Sequence, residues 1–206
     1  MLLELGQRSF DLSSRALIAA PFSEPAEHAD IVVAHECEQV HRFTRSHVVA
    51  IETTSATAAA SALEVGATLV IGGALSDPQL LTVVADHDAA VAIHLPGQLI
   101  ENPVGYLAER AGWAQAAGIK RSKIIIESPL TFVQELVRLQ LPVMVSCRSP
   151  ESAGAQVAAL MQGARLLRCD SNVRQARRTA FTISELLTRR GIASPVSVGL
   201  GIDTCQ

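Results

Sequence analysis

The sequence predicts an α/β protein, an eight-stranded parallel β/α barrel shortened in its first two βα units. Two observations carry this. Short apolar runs recur eight times along the 206 residues, and most are separated by stretches with helical spacing. The runs also lack polar alternation, as expected of strands buried on both faces of a parallel sheet.

The runs are Ala16–Ala20, Ile31–Ala34, Val48–Ile51, Thr68–Ile71, Ala90–Ile93, Lys123–Ile126, Pro142–Val145 and Arg165–Leu167. Strand alternating with helix implies right-handed βαβ units, and eight such strands imply closure into a barrel. The connecting helices carry start and stop signals. Thr54–Val65 ends at Gly66, a good residue just past a helix. Asp77-Pro78 opens the next helix, with Asp as N-cap and Pro at the first helical position. Asn102–Ala117 ends at Gly118, and Leu130–Gln140 ends before Pro142. Ser149-Pro150 opens a helix that ends at Gly163, and Ser171–Arg190 ends at Gly191. Pro21–Ala29 and Glu36–Ser46 leave room for only short connections. The expected organisation is one barrel domain over residues 1–206, without a linker.

Composition excludes several classes. Apolar residues make up 49% and charged residues 18%, a globular balance. A net charge of −3 gives no electrostatic reason for nucleic acid or an anionic membrane as partner. No apolar run reaches the ~18 residues of a membrane helix. The first residues carry Glu4, Arg8 and Asp11 and do not read as a signal peptide, so the expected location is cytoplasmic. Cys37, Cys147, Cys169 and Cys205 are scattered without a CxxC, which favours reduced thiols.

In such barrels chemistry sits at the C-terminal strand ends. The residues just past the runs are Pro21, His35 and Glu36, Glu52 and Thr53, Gly72 and Gly73, His94, Glu127, Ser146 with Cys147 and Arg148, and Arg168 with Asp170. Glu52, Glu127 and Asp170 fit acid–base work, or equally fit salt bridges to Arg148 and Arg168. His35, His94, Cys147 and Cys169 are metal-ligand types, but no pair has a recognised spacing, and no metal site is expected. Cys147 and Cys169 end neighbouring strands and read as buried free thiols. Gly72-Gly73 is too short for a phosphate cradle and reads as a turn.

Five segments, in order, resemble dihydropteroate synthases. They are GQRSFDLSSRALI, then AIETTSATAAASALEVGATLVIGGALSDPQLLTVVADHDAAVAIHLPG, then AERAGWAQAAGIKRSKIIIESPLTF, LPVMVSCRS and GARLLRCDSNVRQA. The resemblance implies a β/α barrel that joins p-aminobenzoate to a dihydropterin pyrophosphate, with magnesium assisting the leaving group. It also implies which positions matter. The Asp of the family's SVDT motif falls at Glu52, followed by Thr53. The His of its MH motif is kept as His94, and the Asp of DPG falls at Glu127. Its SRK lysine has no counterpart; Arg148 is the nearby cation. The Arg of R.H is kept as Arg168, while that motif's His becomes Asp170. The first-loop Asn is replaced by Ala20-Pro21, a pterin-binding Asp by Val33, and an Asn-Asp pair by Ile71 and Gly72. Pro129 and Thr131 stand near the glycines of DPG.

These losses remove the groups that discriminate a pterin and those that compensate a leaving pyrophosphate. The expectation is therefore a synthase-like protein without dihydropteroate synthase activity, acting as a binding or assembly module. Its ligand site would comprise Glu52, Thr53, His94, Glu127, Arg148, Arg168 and Asp170, open to a small polar or pterin-like molecule. No cofactor is expected, and magnesium enters only if the ancestral chemistry survives. The alternative is an active dihydropteroate synthase, or a related transferase of folate biosynthesis with altered substrate. Catalytic residues, and whether the protein is an enzyme, stay open at this point. A homodimer through Ala153–Met161 and Ala176–Leu187 is expected, from the family and from apolar stripes on both segments.

Overall fold

The structure is a computed structural model that describes residues 1–23, 26–72, 78–95, 100–147 and 153–189. Eight parallel strands close into a barrel: β3 (Leu17–Pro21), β4 (Ile31–Ala34), β5 (Val48–Glu52), β6 (Leu69–Gly72), β7 (Ala90–His94), β8 (Ile124–Ser128), β9 (Val143–Cys147) and β10 (Leu166–Cys169). Neighbours in the barrel follow chain order, and β10 pairs with β3 to close it. All eight expected runs are barrel strands.

The strands are apolar throughout because both faces are buried. Successive side chains alternate between two clusters. Leu17, Ala19, Ile31, Val33, Val48, Ala50, Leu69, Ile71, Ala90, Ala92, Ile125, Met144 and Leu166 fill the barrel interior. Ile18, Ala20, Val49, Ile51, Val70, Val91, Ile93, Ile124, Ile126, Val143, Val145 and Leu167 face the helical layer. A strand with no wet face has no use for polar alternation.

The N-terminal lead-in to the barrel is a two-stranded hairpin, which the apolar runs do not mark. β1 (Leu2–Leu5) and β2 (Arg8–Asp11) form an antiparallel hairpin in register Leu2↔Asp11 to Leu5↔Arg8. Leu3, Leu5 and Leu12 join the interior cluster and are at most 1% exposed. The hairpin plugs the N-terminal end of the barrel. Arg8 donates to the Ser46 carbonyl just before β5, and Gly6 lies against Thr68 just before β6. Gly6 has φ +60°, and a Cβ there would stand 2.6 Å from Thr68 Cγ2. The turn therefore requires glycine.

The helical layer comprises α1 (Cys37–Phe43), α2 (Ala56–Glu64), α3 (Pro78–Asp86), α4 (Pro103–Ala116), α5 (Val133–Leu136), α6 (Ala153–Met161) and α7 (Val173–Arg189). Ser55 caps α2 by accepting the Ala58 amide, and Asn102 caps α4 by accepting the Gly105 amide. Gly66, Gly118 and Gly163 have positive φ after α2, α4 and α6, as the sequence predicts.

In the first βα connection the described residues form a single 3-10 turn, Ala26–His28. The second contains only the seven residues of α1. One expectation is corrected: Leu130–Gln140 is not a continuous helix. It is a 3-10 turn (Leu130–Phe132), the one-turn α5, and a second 3-10 turn (Val137–Leu139) ending at Gln140 with φ 54°. Length is not the cause, since α2 has only nine residues. β-branched Thr131, Val133 and Val137 lower helix propensity here, and left-handed Gln140 ends the last turn before Pro142. Asp77, Gly73, Ser149-Pro150, Gly191 and Cys205 lie outside the described residues. No helix among the described residues is long and apolar enough to cross a membrane.

Candidate functional site

Alternation along the strands carries the inward face up to the C-terminal rim. Two positions beyond Ala50, Ala92, Ile125, Met144 and Leu166 stand Glu52, His94, Glu127, Ser146 and Arg168. Register aligns His94 with Glu127 and Ser146 with Arg168. A layer of polar side chains therefore sits directly on an apolar barrel core.

Arg168 is the centre of that layer. Its side chain is 6% exposed, and Nη2 donates to Glu52 Oε2 at 2.6 Å. Nη1 donates to Glu127 Oε1 at 3.4 Å. Ser146 Oγ donates to the same Glu127 oxygen. On the far side, His35 Nδ1 stands 3.4 Å from Glu52 Oε2. One polar chain thus runs His35–Glu52–Arg168–Glu127–Ser146 across five strand ends. Burial works against the Arg168 guanidinium's charge, but the Glu52 hydrogen bond and the charges of Glu127, Glu52 and Asp170 outweigh it and raise its pKa.

Stability alone does not account for this network. A buried ion pair recovers its desolvation cost only when every group is well satisfied. Here Glu127 Oε2 is buried and has no hydrogen-bond partner. An orphaned carboxylate oxygen is costly and calls for a donor, such as a water or a ligand group.

Above the network lies a cavity of about 300 Å³ lined by Pro21, Val33, His35, Glu52, Arg168 and Asp170. Its walls are apolar on the β3–β4 side and charged on the β5–β10 side. Among the expected site residues, Glu52, Arg168 and Asp170 meet at this cavity. Glu127 stands beneath it through Arg168, and His94 belongs to the same inward layer. Thr53 is turned elsewhere: its hydroxyl accepts the Ser55 amide at 3.1 Å, at the start of α2. Arg148 lies outside the described residues. His35 and Ser146 complete the network but are absent from the expected site. Each stands one residue past a strand run, and only the alternation from Val33 and Met144 places them inward.

The magnesium expected of dihydropteroate synthase chemistry does not fit these residues. Magnesium is ordinarily held by one or two carboxylates together with substrate phosphates, and among the described residues no larger cluster of His, Cys, Asp or Glu offers an alternative. Glu52 and Glu127 are engaged with Arg168 instead.

The fold has close counterparts among solved structures. A dihydropteroate synthase from Yersinia pestis superposes with a TM-score of 0.78 at 17% identity, covering 91% of this chain and 99% of that one. The 7,8-dihydropteroate synthase from Vibrio fischeri gives 0.77 at 17% identity, covering 92% and 99%. A Mycobacterium tuberculosis protein gives 0.76 at 21% identity, covering 94% and 99%. This chain has a dihydropteroate synthase-like fold. No family model matches the sequence, and no curated protein matches it. The Yersinia enzyme has also been solved with a pterine-sulfa conjugate, at a TM-score of 0.79. In this dihydropteroate synthase-like barrel, Val33 lines the cavity where the resemblance implies a pterin-binding Asp, and Ile71 is core where it implies an Asn.

Cys147 and Cys169 are register partners on β9 and β10, both free and buried. They face the helical layer, away from the cavity. Burial pushes the Cys147 thiol up to about 11 and the Cys169 thiol to about 12. They are packing groups, as the sequence reading expects.

Proposed function

We propose that this is a dihydropteroate synthase-like barrel without dihydropteroate synthase activity, whose rim binds a small polar ligand. The observation that carries the reading is the neutralisation of Arg168. A leaving pyrophosphate is stabilised by cations aimed at it and free to meet its charge. Arg168 instead directs both terminal nitrogens at the chain's own Glu52 and Glu127. Asp170 adds a further negative charge at the cavity wall.

The ligand site consists of Glu52, His94, Glu127, Arg168 and Asp170, with Arg148 as a sixth member and Thr53 only as a support of the α2 start. A pterin-like molecule is one candidate ligand, since the Yersinia relative holds a pterine-sulfa conjugate. The apolar Pro21 and Val33 walls suit a flat ring, while the carboxylates suit its hydrogen-bond donors. The whole chain acts as one cytoplasmic barrel domain that pairs as a homodimer.

A thermal-shift screen tests the ligand reading. A ligand of the native state raises Tm by mass action. Pterins, p-aminobenzoate and small polar metabolites are compared in the wild type and in Asp170→Ala. A shift lost in the variant supports a rim ligand. A screen in which every shift persists in Asp170→Ala contradicts it.

A further inference from the structure

The helix α4 carries a cation that is held in place but not paired. α4 packs on β7 and β8 through Leu107, Ala111 and Ala114, and none of its residues lines the rim cavity. Arg110 Cζ lies 3.7 Å from the centroid of the Trp113 ring and 4.8 Å from that of Tyr106. The rings belong to the residues at i+3 and i−4, so they flank the guanidinium along the helix. Cation–π contact fixes the guanidinium but gives its N–H groups no acceptor. Arg110 Nε is buried without a hydrogen-bond partner, and among the described residues the side chain has no ion pair. Glu109, the one acidic residue of α4, is exposed and does not pair with it.

The surroundings are those of a contact surface. Trp113, the only tryptophan in the chain, is 42% exposed. Beside it, Gly112 has nothing within 4 Å of the place a Cβ would take, so a second molecule can bring its backbone close to the helix. An exposed glycine inside a helix weakens it, and stability alone gives no reason for one here. Arg, Trp and Tyr are also the residues that dominate binding energy at protein interfaces.

We infer that Tyr106, Arg110 and Trp113 form a docking patch for another protein, whose segment presents one Asp or Glu carboxylate flanked by an apolar side chain. With the rings against the guanidinium, its in-plane N–H edge is what remains to recognise a partner. That edge matches a carboxylate through two parallel hydrogen bonds, and the stacked fork loses little freedom on binding. A single cation next to Glu109, in a chain of net charge −3, suits one carboxylate and disfavours a polyanion such as nucleic acid. The apolar neighbour covers Trp113 and excludes water from the pair.

Trp113 emission reports on this patch alone, since the chain has no other tryptophan. The full chain is titrated at low salt with acetyl-Leu-Glu-Leu-amide, and with acetyl-Leu-Gln-Leu-amide as the neutral match. The expected result is a saturable change in emission with the glutamate peptide and none with the glutamine peptide. Arg110→Gln should abolish the change. Arg110→Lys should weaken binding several-fold, because an ammonium cannot make the two parallel bonds. Absence of a saturable change in the wild type overturns the proposal, whatever the variants do. So does a change that persists in Arg110→Gln, or one that inorganic phosphate produces equally. A change that follows protein concentration without peptide assigns the patch to a second copy of this chain and likewise overturns it.

Discussion

Arg168 and Glu52 stand 116 positions apart in the chain, yet Nη2 and Oε2 lie 2.6 Å apart at the rim of the barrel. Parallel closure brings this about. β10 returns beside β3, and the inward alternation of β5 and β10 aims both side chains at the axis. The same guanidinium reaches Glu127, so one cation holds two carboxylates.

Removing that cation should be costly. Arg168→Met leaves Glu52 and Glu127 without their partner, and breaking a buried pair typically costs about 3–5 kcal/mol. Replacing all three with apolar residues of similar volume, Arg168→Met with Glu52→Leu and Glu127→Leu, should recover most of that loss. Urea denaturation measures both, read as a change in midpoint at constant slope. A single variant within about 1 kcal/mol of wild type contradicts the network as described.

The barrel was legible in the sequence, and the network was not. Val48–Ile51 or Ala90–Ile93 reads as a strand because continuous aliphatic runs have few other uses in a chain this size. Glu52, Glu127 and Arg168 were legible as strand-end residues, and the family resemblance picked them out. Which of them touch depends on register and closure, which no local pattern encodes. His35 and Ser146 were legible as strand-end residues too, but for that reason their place in the network was not. The hairpin was missed for another: Leu2–Leu5 and Arg8–Asp11 mix Leu with Glu, Arg and Asp, unlike the barrel runs. The Leu-x-Leu alternation before Gly6 was the available signal.

The hairpin should contribute substantially to stability. Leu3 and Leu5 are at most 1% exposed, and truncating such a side chain to Ala typically costs about 2–5 kcal/mol. Leu5→Ala should fall in that range by urea denaturation, and Leu2→Ala, at an exposed position, should be near neutral. Equal effects at the two positions would place the hairpin differently.

Cys147 and Cys169 should make the protein lose stability at high pH. Their thiols ionise at about 11 and about 12 in the fold because burial disfavours the thiolate, against an ordinary value of 9.0. Raised values mean that this contribution is complete below pH 9.0 and is lost as pH rises through about 11 and about 12. Urea midpoints from pH 8 to pH 11 should fall more steeply for the wild type than for Cys147→Ala with Cys169→Ala. Parallel slopes would contradict the burial.

The homodimer reading predicts a contact through α6 and α7. Val157 and Met161 on α6 and Phe181 and Leu186 on α7 are exposed, Phe181 at 66%. Light scattering at tens of micromolar should give twice the chain mass, and Phe181→Asp should give the single mass. A wild type at the single mass contradicts the pairing.

The proposal that the barrel lacks synthase activity is tested most directly by product formation. Purified protein is incubated with p-aminobenzoate, dihydropterin pyrophosphate and magnesium, and dihydropteroate is followed by chromatography. Losing one group that stabilises developing charge typically costs about two to three orders of magnitude in rate. Here Arg168 is bound to the chain's own carboxylates, and Asp170 adds charge of the wrong sign. No product above the protein-free control is predicted. Product that rises with protein concentration and disappears in Arg168→Ala would contradict the account and restore the reading of an active dihydropteroate synthase.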